Sequence, residues 1–131
     1  MNTPLLPDGW KRPKGYANGV AARGRQVFVA GMIGWDANET FQTDDFAGQA
    51  RQALLNVLAV LAAADAGPQH IVRMTWYITD REAYRAALPS IGQAFRELIG
   101  HYDIAMSAVQ VVALMESRAV VEIEVTAVVP E

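Results

Sequence analysis

Across residues 18–33 apolar runs flank Arg23-Gly24-Arg25, and Gly24 can take the positive φ of a tight turn. The spacing predicts a β-hairpin whose second arm covers residues 26–33. Residues 34–43 are polar, with Asp36, Asn38 and Glu39 favouring turns and solvent, and read as a loop. Thr43, Asp44 and Asp45 then offer oxygen acceptors to a helix start. Phe46, Ala50, Leu54, Val57, Leu58 and Leu61 follow at three- and four-residue steps along one face. The back half of this helix is apolar nearly all round apart from Asn56, so it calls for cover by a sheet and by something more. Gly67-Pro68 ends it, glycine tolerating a left-handed cap and proline barring continuation.

Residues 70–79 alternate Val72, Met74, Trp76 and Ile78 with Arg73, Thr75, Tyr77 and Thr79, the period of a strand with two different faces. Asp80 can cap a short helical stretch over 82–88, and Pro89 suits the first turn of a second main helix over 89–99. Two further strands, near 107–115 and 119–129, meet at a turn around Glu116-Ser117-Arg118. The order is β-β-α-β-α-β-β, and the economical packing sets both main helices on one side of a mixed sheet, an α+β fold. In the last strand Val121, Ile123, Val125 and Ala127 would face the helices. Glu122, Glu124 and Thr126 would then lie on an open face beside Arg73, Thr75 and Tyr77.

Composition narrows the chemistry. With 131 residues, 52% hydrophobic and 19% charged, the chain reads as one domain, 1–131, with an irregular, proline-containing lead-in over 1–14. Eleven Lys and Arg against fourteen Asp and Glu give a net charge of −3, so nucleic acid is not expected as a partner. There is no cysteine, and two histidines without a supporting ligand set suggest no metal. No glycine-rich phosphate loop follows a strand, so no cofactor is expected. The longest uncharged apolar run falls short of the roughly 18 to 20 residues of a membrane span, and the lead-in lacks the layout of an export signal. The expectation is a cytoplasmic protein without a membrane partner.

Tyr16, Val27-Phe28-Val29-Ala30-Gly31, Gln49 with Asn56, Ala66-Gly67, Ile71-Val72-Arg73-Met74-Thr75, Thr79-Asp80 and Val121-Glu122-Ile123-Glu124 occur in a telling order and spacing. In that joint order the chain resembles the reactive intermediate deaminase family, Rid or YjgF, over nearly its whole length. The resemblance implies a chorismate-mutase-like fold and a homotrimer whose open sheet faces pack together. It also implies small-molecule clefts between adjacent subunits, and cofactor-free hydrolysis of imines and enamines such as 2-aminoacrylate to keto acid and ammonia.

The resemblance places a water-orienting glutamate at Glu122 and a cleft-lining tyrosine at Tyr16, with the backbone of Gly31 beside them. It also shows where this chain departs. The deaminating branch carries an arginine in a Pro-Ala-Arg segment that forks onto the substrate carboxylate, and the matching stretch here is Ile104-Ala105-Met106. The family's serine before the glycine is Ala30, and a small polar or cysteine position two after the arginine is Ala108. A site that loses polarity as a set points to a ligand less anionic or more apolar than 2-iminopropionate. The alternative is a regulatory or binding trimer that kept the cleft and lost the chemistry.

Other residues have plainer readings. Glu122 could simply pair with Arg73. Trp35, just past Gly31, could stack on a ligand, whereas Trp76 shares a face with Val72 and Ile78 and reads as core. Trp10 would pin the lead-in to the surface, and His70 and His101 sit at ordinary turn and helix-end positions. Arg118 could replace the missing arginine from another direction.

Overall fold

The computed structural model describes residues 2–131. Its elements are β1 (Thr3–Leu5), β2 (Gly19–Ala21), β3 (Arg25–Ile33), α1 (Phe46–Ala63), β4 (Ile71–Ile78), α2 (Arg81–Ala86), α3 (Leu88–Leu98), β5 (Ala105–Gln110) and β6 (Val121–Val129), with a 3₁₀ turn at Pro68–His70. Four strands make one mixed sheet in the order β3-β6-β4-β5, with β6 antiparallel to both neighbours and β5 parallel to β4. Leu54, Val57 and Leu61 of α1 and Ile91 and Phe95 of α3 share one core with Met74, Trp76, Ile123 and Val125 of the sheet. Both main helices therefore lie on one side of an α+β fold, as the alternation of the strands requires.

The expected hairpin does not form. β2 pairs with β1, and β3 pairs along its length with β6. A three-residue β2 could never match a nine-residue β3, whereas β6 also has nine residues. Gly24 does take φ +148°, but a Cβ there would run into the Val129 carbonyl, so the glycine serves the close approach of the two long strands. The lead-in is not irregular throughout, since it supplies β1, and Asn2 Nδ2 donates to the Ile71 carbonyl at 3.2 Å. Met1 of that lead-in lies outside the described residues. Trp10 is 62% exposed and pins nothing.

Asp45 caps α1 by accepting from the Gly48 amide at 2.8 Å, and Thr43 Oγ1 accepts from the Asp45 amide at 3.0 Å. At the other end the left-handed residue is Asp65, with φ 54°, while Gly67 is extended. The Ala66 amide reaches back to the Leu61 carbonyl at 2.9 Å and closes the helix two residues before the proline acts. Among the described residues α1 alone has the length and apolarity to cross a bilayer, yet its buried face packs on β3 and β6. On its outer side Leu55 and Val60 stay exposed. Asp80 Oδ1 accepts from the Glu82 and Ala83 amides at 2.9 and 3.3 Å to start α2, and Pro89 falls in the first turn of α3.

β5 is shorter and earlier than its apolar run suggests, because β6 inserts between β3 and β4 and residues 111–120 must cross to reach it. A register shift at the start of β4 sends Ile71 into the core rather than Val72. Beyond it, the two faces separate as the period of two demands.

Candidate functional site

Glu122 belongs to the open face. In register it lies opposite Tyr77, with Glu124 opposite Thr75 and Thr126 opposite Arg73. Arg73 is thus four residues along the strand from the Glu122 rung, roughly 13 Å away at strand rise, and forms no ion pair with Glu122. Tyr77 instead donates from its hydroxyl to Glu124 Oε1 at 3.2 Å. The Glu124 charge, and then that hydrogen bond, raise the Tyr77 phenol above its ordinary value of 10.0.

What shapes the surroundings of Glu122 is a bulge in β3. The register shifts between Val29 and Met32, so Ala30 and Gly31 form the irregular stretch facing β6. A Cβ on Gly31 would collide with the Glu122 carboxylate, so the glycine is what leaves the carboxylate room. Two polar residues of α1 fix this end of the sheet. Gln49, fully buried, donates from Nε2 to the carbonyls of Thr43 and Arg118 at 3.1 and 3.0 Å and accepts from the Val120 amide at 3.0 Å. Asn56 donates to the carbonyls of Ile33 and Trp35 at 2.9 and 2.7 Å. These residues clamp the segments that follow β3 and precede β6, a role that a polar residue on an apolar helix face signals and that composition does not.

Tyr16, Met106 and Ala108 lie elsewhere. Met106 is opposite Met74 and Ala108 opposite Trp76, which places both on the helix side of the sheet at its β5 edge. They line a cleft of about 500 Å³. The Ala17 amide donates to the Ile104 carbonyl at 2.8 Å, and Ala17 bridges to Ala105, which brings Tyr16 alongside. Trp76, Ile91 and Phe95 form the floor, all at most 9% exposed. Trp76 is core, as expected, but its indole N–H has no partner among the described residues, an omission that costs about 1–3 kcal/mol. Tyr84 and Phe95 flank its ring at centroid distances of 6.0 and 6.2 Å. Burial raises the phenols of Tyr84 and Tyr102, which also line the cleft.

The sequence reading missed Lys14, Tyr84, Arg85, Leu88 and Tyr102 of this cleft. No pattern in the sequence marks them as a group; in the fold Leu88 is an apolar residue left 47% exposed at the head of α3. Trp35 joins neither group. It packs on Phe41 at 5.8 Å and lines a separate 300 Å³ hollow with Arg118. Arg118 itself donates to Asp44 Oδ1 at 2.9 Å and lies 5.3 Å from the Phe41 centroid, and within one chain it does not line the cleft of Met106. His70 Nδ1 accepts from the Gly67 amide at 3.0 Å, a turn contact, and His101 lies 3.6 Å from Asp103 at the surface.

A single chain therefore carries two separate sets, Gly31 with Glu122 on the open face and Tyr16, Met106 and Ala108 on the helix side. A helix-backed mixed sheet with this strand order, a β3 bulge against a β6 glutamate and an edge cleft at β5 defines the class, an α+β protein of the YjgF type. The family model described as Endoribonuclease L-PSP matches residues 10–129, and the chain belongs to this Rid/YjgF family. The RutC family protein slr0709 of Synechocystis is 34% identical over 121 residues, 88% of this chain and 86% of that one. Among solved structures, YyfB of the Rid family from Yersinia pestis is 29% identical with 98% of each chain covered and a TM-score of 0.86. Rv2704 of Mycobacterium tuberculosis, of the YjgF/YER057c/UK114 family, is 34% identical over 88% of each chain with a TM-score of 0.65. TdcF of Escherichia coli, solved with bound serine, is 29% identical over 97% of this chain and 98% of that one, with a TM-score of 0.72.

Proposed function

We propose that this chain forms a homotrimer that hydrolyses an imine or enamine more apolar than 2-iminopropionate, with Glu122 of one copy completing the cleft of the next. The observation that carries the reading is Met106 in an aromatic-floored cleft, at the position where the family resemblance puts a carboxylate-binding arginine. Charged hydrogen bonds contribute about 1.5–3 kcal/mol, so a thioether there weakens a small 2-imino acid at least about tenfold. Assembly is supported by apolar side chains that the single chain leaves in water. Phe28 is 72% exposed, Val112 and Met115 are essentially fully so, and the open face beside Phe28 carries the polar side chains of Thr126, Arg73 and Glu122.

In this reading Glu122 orients a water and accepts its proton as the oxygen attacks the protonated imine carbon. Glu122 then returns its proton to the carbinolamine nitrogen, the C–N bond breaks to release ammonia as the hydroxyl oxygen forms the carbonyl, and the hydroxyl proton passes to Glu122 and on to the departing ammonia as ammonium. No redox partner or cofactor enters the balance. Glu122→Gln should abolish ammonia release while the assembly stays intact; retained turnover would refute the role. Met106, Ala30 and Ala108 as a set also favour a second reading, a binding trimer without chemistry, which predicts saturable binding with unchanged ligand recovered by mass spectrometry.

A further inference from the structure

The cleft beside Met106 has an uneven charge distribution. Its lining includes the cations Lys14 and Arg85 and no carboxylate, in a chain whose net charge is −3. Both cations are exposed and stand at the rim, whereas Trp76, Ile91 and Phe95 are buried beneath. The nearest acidic group to Arg85 is Glu82, at 3.8 Å, with both side chains more than 60% exposed. Arg81 shares that carboxylate, also at 3.8 Å. A long, exposed pair of this kind contributes almost nothing, so the guanidinium is free to turn toward the cleft. Lys14 has no ion pair among the described residues.

We infer that the cleft takes an amphipathic monocarboxylate whose apolar, ring-sized body lies against Met106, Trp76 and Leu88 while its carboxylate is held at the rim by Arg85 and Lys14. The inference rests on the proposal that this cleft is the ligand site, and it goes further by assigning the anion a place. A carboxylate at Met106 would stand over a thioether and an aromatic floor with no cation beside it, and a desolvated charge without a counterion is costly to retain. The charge must therefore be separated from the body by several bonds, unlike a 2-imino acid, whose carboxylate sits on the reacting carbon. The 500 Å³ of the cleft suits a molecule of that size.

The test is calorimetric titration of the full chain at low salt with 3-phenylpropionate and with neutral 3-phenylpropanol, repeated on a Lys14→Gln/Arg85→Gln double variant. At low salt the acid should bind about three- to fivefold more tightly than the alcohol. That advantage should vanish in the double variant, with alcohol binding unchanged. Equal binding of acid and alcohol, a preference that survives the substitutions, or no binding of either overturns the inference. Charge discrimination without any Glu122-dependent ammonia release would refute the hydrolytic reading alone and leave this assignment standing.

Discussion

The two faces of the four-stranded sheet are made from the same strands and have opposite fates. On the helix side Val121, Ile123, Val125 and Ala127 are at most 1% exposed, packed under α1 and α3. On the other side the intervening residues Glu122, Glu124 and Thr126 meet Tyr77, Thr75 and Arg73, and Phe28 stands in solvent opposite Thr126. The first face is finished by the chain itself. The second has the register of an ordered surface and none of the cover, which is the physical reason for assigning its completion to further copies.

The sharpest way to break that contrast is a pair of substitutions. Ile123→Ala should cost about 2–5 kcal/mol in denaturant unfolding, because it empties a closed core. Phe28→Asp should leave the fold of each chain within about 0.5 kcal/mol yet dissociate the assembly in sedimentation velocity. Equal costs for the two would erase the distinction between the faces. Gly31→Ala comes next: the new methyl pushes the flexible Glu122 side chain aside, which should cost less than about 1 kcal/mol in stability on the open face but abolish turnover. Wild-type turnover in that variant would show that the bulge has no part in placing Glu122.

A smaller effect concerns pH on the helix side. Burial raises the phenols of Tyr84 and Tyr102 above 10.0 in the folded chain. A raised folded value means the unfolded chain loses its proton first, so this contribution is intact below about pH 10 and declines as pH rises through the folded values. Tyr84→Phe should flatten the alkaline fall in chemical-denaturation midpoint. An unchanged slope would remove Tyr84 as its source.

Much of this arrangement is legible in the sequence, and the failures have identifiable causes. The alternation in β6 and β4 placed Glu122, Glu124, Arg73 and Tyr77 on one face, because a period of two leaves no choice once one face is apolar. The hairpin failed because local turn chemistry at Gly24 says nothing about partner length, and the longer partner lay a hundred residues downstream. The helix stop was assigned to Gly67 where Asp65 holds the left-handed position, since aspartate also tolerates that conformation. Glu122, Gly31, Tyr16, Met106 and Ala108 were all named, but their division between two faces is a matter of register across four strands. Arg85 and Lys14 were invisible, because exposed cations acquire meaning only when a cleft opens between them.

The claim that one site is shared by two copies can be tested most directly by cross-linking. The chain has no cysteine, so Glu122→Cys and Met106→Cys can be introduced together into an otherwise thiol-free protein. Treatment with a short bismaleimide should yield covalent dimers and trimers on a denaturing gel, because the proposed assembly sets position 122 of one copy across from position 106 of the next. Linkage confined to single chains, or no linkage at all in the assembled protein, would contradict the account.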